Sequence, residues 1–259
     1  MKGIDTIELT PRNVEQFGIF CVSRHRLPGY RTKVEWFKKQ YEKGLRIRLL
    51  WSAKRSKSIG FIEYAPIDAC WRAVEASGDD GKNFLVIHCI WVSSKQQGAG
   101  LGSRLVKEVV GEARRTRRAG VAVVTGSAGW CAHQQLFENA GFRIVDEREP
   151  YLLAVRKLQK SSASPKFRSA RRSSRKPEGL LLRYSHQCPY LAKCAADLSN
   201  EAARLGLDLK TQQIRSSREA RNSPTPYGVM SLTDGAELLT SHYASRRRFQ
   251  NIVRQRGLI

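Results

Sequence analysis

"WVSSKQQGAGLGSRLV", residues 91–106, places Gly98, Gly100 and Gly102 where an apolar run gives way to a helical pattern. Glycine costs backbone entropy, so three of them at a helix start need a reason. Before them stands "FLVIHCIWV", residues 84–92, a near-continuous apolar run of the kind a central strand shows. After them Leu101, Leu105, Val106, Val109, Val110 and Ala113 share one helical face, with Lys107, Glu108, Arg114 and Arg115 on the other. Strand, glycine loop and helix in that order aim unpaired N–H groups at one spot, and the helix dipole adds positive potential there. Phosphates are stabilised at such a spot.

The spacing discriminates between phosphate loops. A Walker A loop needs Gly-Lys-Ser/Thr, but Gly102 is followed by Ser103 and Arg104. A dinucleotide fingerprint opens an early βαβ unit, whereas here the preceding strands read as antiparallel. What remains, Gln97-Gly98-Ala99-Gly100-Leu101-Gly102, resembles the Gln/Arg-x-x-Gly-x-Gly/Ala signature of the GNAT N-acetyltransferases. "HCIWVSS" just before it and "LFENAGF", residues 136–142, are similar to the strand and the helix end of that family.

The resemblance covers residues 1–158 and implies an α/β (α+β) GNAT acyl-CoA N-acyltransferase fold. It implies acetyl-CoA as cofactor, lying between "HCIWV" and "VAVVT", two strands that splay apart. Backbone groups of Ile90, Trp91 and Val92 would pair with the pantetheine arm. Gln97, Gly98, Ala99, Gly100, Leu101, Gly102 and Ser103 would cradle the pyrophosphate. The Val92 N–H would serve the oxyanion. The family's frequent tyrosine acid falls on Phe137, which has no proton to give. The candidate base is His88, whose imidazole titrates near neutrality; the bland alternative is a hydrogen-bonded core histidine. Glu63 and Glu75 are alternative bases. Alternation along a strand sets Cys89 on the face opposite His88. The acceptor is a small-molecule or peptide amine, its pocket built from the N-terminal helices and the 65–84 loop.

Around this centre, "VEQFGIFCVS" and "VEWFKKQYEKG" read as helices, and "RIRLLW" and "IGFIEYA" as a strand pair. A short strand is expected near Trp71–Ala76. "VAVVT" and "YLLAVRKL" are further strands, with a helix over "HQQLFENAGF" between them.

Residues 160–178 are rich in Ser, Arg, Lys and Pro, a composition that cannot bury enough surface to fold alone. They read as a basic linker between a first domain, 1–159, and a second, 179–259. The second has the order β-α-β, then β-β-α, with a hairpin at "DG", 234–235. Cys188-Pro189-Tyr190 opening a helix, and Thr225-Pro226 before the hairpin, resemble the small thioredoxin-like α/β domains, in which that proline is cis. A thiol at a helix N-terminus has a lowered pKa, which makes Cys188 a candidate reactive group. Position 191 is Leu, so no CxxC dithiol exists, and Cys194 is expected in the core. The pairing of the two domains resembles the YoaP-type bacterial proteins.

The 259 residues, 41% of them hydrophobic, suffice for a real core. No run of 18 apolar residues exists, and the first residues lack an apolar signal core, so a cytoplasmic protein without a membrane partner is expected. Six scattered cysteines read as reduced thiols, with no metal site. Forty-six basic against 23 acidic residues give a net charge of +23, enough for non-specific polyanion binding at low salt. The leading expectation is acetyl transfer from acetyl-CoA to a primary amine; the alternative is a non-catalytic CoA-binding or thiol-sensing protein that uses Cys188.

Overall fold

The structure, a computed structural model, describes residues 3–19, 27–78, 83–127, 131–169 and 178–259. The N-terminal half runs β1 (Ile4–Glu8), α1 (Val14–Phe17), α2 (Pro28–Tyr41), β2 (Arg46–Ser52), β3 (Lys57–Pro66), β4 (Val74–Glu75), β5 (Phe84–Val92), α3 (Leu101–Arg115), β6 (Gly120–Gly126), α4 (Gln134–Glu138), β7 (Arg143–Arg148), β8 (Tyr151–Lys157) and β9 (Lys166–Phe167). The C-terminal half runs β10 (Leu180–Ser185), α5 (Pro189–Arg204), β11 (Leu209–Ile214), α6 (Ser217–Arg221), β12 (Met230–Asp234), β13 (Glu237–Thr240) and α7 (Arg246–Gln255).

Seven strands form the first sheet in the order β1-β2-β3-β5-β6-β8-β7. Every neighbouring pair is antiparallel except β5 and β6. A parallel pair needs a crossover, and α3 supplies it. The apolar stripe of α3 is buried as its spacing demands, against the sheet and α4. The opposite sheet face packs on α2, and this core continues without a break into the C-terminal half, where Leu191, Tyr227 and Phe249 belong to it.

The second sheet has the order β11-β10-β12-β13, with β10 and β11 parallel and the rest antiparallel. The Thr225–Pro226 bond is not cis; the cis bond among the described residues is Glu149–Pro150. That expectation therefore fails.

Two sequence expectations change in extent. The first helix stops at Phe17, because Gly18 takes φ +72°; its expected continuation falls partly outside the described residues. Residues 160–169 are not a free linker: Lys166–Phe167 pairs with β4, and Phe167 is buried. One aromatic side chain with a strand edge within reach is enough to fix the segment. The remainder of the expected linker, 170–177, lies outside the described residues. Strands β1 and β7, at the two edges of the first sheet, and helix α6 are additional elements.

Candidate active site

The centre of the site is a fork between β5 and β6. They pair only from Phe84↔Gly120 to Ile87↔Val123, although β5 runs on to Val92. The cause sits at the next residue. In the β3–β5 ladder Glu63 faces Cys89 and Tyr64 faces Ile87, so His88 is the extra residue of a bulge. A bulge bends its strand and sharpens its twist, which turns the rest of β5 away from β6. Ser93 N–H donates to Ile59 O across the β3 side, so by alternation the Trp91 amide also faces β3, while those of Ile90 and Val92 face the open fork. The Val92 carbonyl accepts from Gln97 Nε2 at 3.4 Å, which ties the loop to the fork. Trp91 backbone is thus not among the groups offered to a ligand, a correction to the expected trio.

The glycine loop follows at once. Gly98 and Gly100 take φ +81° and +71°, and a Cβ built on either meets nothing within 4 Å. Their outer side is open. Gly102 serves packing instead: a Cβ there would lie 3.2 Å from Leu136 Cδ1 of α4. Arg104 N–H makes the first intrahelical bond, to Gly100 O at 3.0 Å, which leaves the amides of Leu101, Gly102 and Ser103 without intrahelical acceptors. Open amides at a helix start, next to Arg104 and Lys107, suit the pyrophosphate of a coenzyme.

At the apex of the fork is a cavity of about 50 Å³ lined by His88, Cys89, Ile90, Val123, Val124 and Phe137, among others. The bulge puts His88 and Cys89 on the same face, against the expectation from alternation. Phe137 is fully buried and meets Phe142 edge-on at 5.6 Å.

His88 reaches the site but is not a free base. Its Nε2 accepts the Trp71 N–H at 3.0 Å, so the proton is on Nδ1, which donates to Glu63 Oε1 at 3.2 Å. Burial lowers its pKa against the opposing pull of Glu63, and it is neutral at neutral pH. Glu63 is itself enclosed. It pairs with the Lys33 ammonium, accepts from His88 and accepts from Gln187 Nε2 at 2.8 Å. Burial alone would raise its pKa, yet Lys33 and His88 hold it well below the usual carboxylate range. Glu75 is elsewhere, ion-paired at 3.5 Å with Lys166. The imidazole and the Glu63 carboxylate form a rigid buried network in which Arg72 also bonds the His88 carbonyl.

Cys188 is the N-cap residue of α5 and lines the same cavity. Burial wins over the helix terminus and raises its thiol to about 11, so the expected low-pKa thiol is not found. Cys194 is buried, with its Sγ 3.4 Å from Ala244 O. Lys33, Arg72, Gln187 and Tyr227 were not marked by the sequence reading. Lys33 carried a usable signal, because it lies three residues after Tyr30 and four before Phe37, on the apolar face of α2. Arg72 carried none.

Residues 47–144 match the acetyltransferase (GNAT) domain family, and that stretch spans β2 to β7, including the fork and the glycine loop. Over 253 residues, 95% of this chain and 97% of the relative, it is 27% identical to "Uncharacterized N-acetyltransferase YoaP" of Bacillus subtilis (strain 168). Among solved structures, a GNAT family acetyltransferase from Brucella melitensis in complex with acetyl-CoA is 15% identical. It covers 62% of this chain and 92% of its own, with a TM-score of 0.42. The GNAT N-acetyltransferase YhbS from Escherichia coli in complex with CoA is 13% identical over 63% of this chain and 89% of its own, with a TM-score of 0.43. Among the described residues no helix is long and apolar enough to cross a membrane.

Proposed function

We propose that the protein transfers the acetyl group of acetyl-CoA to a primary amine. The observation that carries this reading is the fork itself: a bulge at His88 frees the Ile90 and Val92 amides beside an open glycine loop. Acetyl-CoA would supply an activated thioester, held by Gly98–Ser103 at its pyrophosphate and by Ile90 and Val92 along its arm. The Val92 N–H would stabilise an oxyanion in the fork. Both ring nitrogens of His88 and the carboxylate of Glu63 are engaged, so their role is to hold the bulge and the Trp71 segment in place. The acceptor then enters as its free amine, and its rate follows that fraction as pH rises toward the acceptor's own pKa. Phe137 brings no proton to the departing thiol. The Cys188 thiol is half-buried and its pKa is raised to about 11, which weighs against the thiol-sensing alternative.

Calorimetric titration of acetyl-CoA into the wild type and into Gly100→Glu tests the reading. Binding that is lost in the variant supports it; a wild type that does not bind overturns it. A panel of primary amines with a free-CoA assay then identifies the acceptor.

A further inference from the structure

The C-terminal half does not hang from the acetyltransferase domain; it is seated on the fork. At two points the backbones meet so closely that only glycine fits. A Cβ on Gly29 of α2 would lie 1.7 Å from Pro189 O, and one on Gly228 would lie 2.8 Å from Trp71 O. Polar bonds cross the seam beside them. Gln187 Nε2 donates to Glu63 at 2.8 Å, Ala73 N–H donates to Pro226 O at 3.1 Å, and the hydroxyls of Tyr151 and Ser241 meet at 2.5 Å. The Arg72 guanidinium lies 4.7 Å from the centre of the Tyr227 ring. Through this seam Gln187, Cys188, Pro189 and Tyr227 come to line the cavity that His88, Cys89 and Ile90 line from the other side.

From this the geometry points to an acyl-transfer chamber built by both halves, with Gln187, Cys188 and Tyr227 as its roof and a small primary amine, rather than a polypeptide, as the acceptor. The inference rests on the acetyltransferase reading and deepens it. Ile90, Val123 and Cys188 line the same cavity, so an acyl group between the two strands would lie beside the Cys188 thiol. The chamber's 50 Å³ is small. At roughly 10–15 Å³ per water, it takes about four waters, enough for an amine head with a few carbons. A chain of peptide units exceeds that volume. Gln187 acts as a positioning residue: it fills a bonding position of Glu63, the carboxylate that holds the bulge histidine.

Cys188 is itself the reporter. Its modification by methyl methanethiosulfonate is followed by peptide mass, with Cys188→Ser as the blank, on the full chain with and without acetyl-CoA. At ten times the Kd measured by calorimetry, a thiol covered by the acyl end is modified about tenfold more slowly, and Gly100→Glu loses that protection. A polyethylene-glycol maleimide leaves Cys188 unmodified while it modifies glutathione normally. If acetyl-CoA binds but Cys188 reacts at an unchanged rate, or if the bulky reagent enters as readily as the small one, the chamber is refuted and the acetyltransferase reading stands. If acetyl-CoA does not bind, both fall.

Discussion

Replacing Glu63 by Gln removes one charge from a pair whose side chains are both 0% exposed. The change preserves shape and leaves one acceptor oxygen for His88 Nδ1 and Gln187, while the oxygen that faced Lys33 becomes an NH2 donor. It strands the Lys33 ammonium beside the Trp36 ring, 4.1 Å from its centroid. A cation–π contact offsets roughly 2 kcal/mol when desolvated. Breaking a buried pair from one side costs about 3–5 kcal/mol. At about 2–4 °C per kcal/mol for a chain of this size, the variant melts about 6–20 °C lower. Urea unfolding followed by circular dichroism reads the same loss as a lower midpoint at unchanged slope. The double change Lys33→Met with Glu63→Gln leaves no stranded charge and recovers most of the loss, as apolar replacement of buried pairs does. A single variant that loses less than about 1 kcal/mol, the scale of an exposed pair, would refute the reasoning. So would a double variant no better than the single one.

Gly29→Ala drives a Cβ into Pro189 O, so α2 and α5 must separate; thermal unfolding should show a loss of several degrees, and no such loss would mean that the seam is slack. Acid should destabilise the protein in two steps. His88 has its pKa lowered from 6.5 and Glu63 from 4.5 on folding. In both cases the unfolded chain takes up its proton first, so stability is full above pH 6.5, falls as His88 protonates in the unfolded state, and falls again below pH 4.5. Urea midpoints between pH 7 and pH 4 measure this; burial also lowers the pKa of His186 and His242, which share the upper step, so His88→Gln should shrink that step and leave the lower one. Ser241→Ala leaves the buried Tyr151 hydroxyl without its partner and should cost about 1–3 kcal/mol by the same denaturation.

Much of the fold could be read from local pattern. The α3 stripe, the apolar run of β5 and the Asp-Gly hairpin each carry a period or a turn signal that survives folding. Strand β7, "RIVDER", did not, because an edge strand half open to solvent alternates weakly and carries four charges. The glycine loop was legible since φ > 0 is a backbone demand written in residue type. The bulge was not. It depends on how β5 counts against β3, and a single sequence shows no partner strand. The bulge explains why alternation failed for Cys89 and why His88 is locked rather than free. Cys188 was found for its helix terminus, but its raised pKa comes from neighbours that only tertiary packing supplies.

The parity of β5 has a wider consequence. Up to Ile87 the strand belongs to a continuous sheet; beyond His88 the same strand is an edge whose amides await a guest. One surplus residue makes that change. Removing a single residue at position 88 would bring Ile87 and Cys89 back into ordinary alternation and let β6 zip onward along β5, with every glycine of the loop still in place. Whether the chain can host a thioester is then a matter of odd and even: a frame shift written in the fold rather than in the gene.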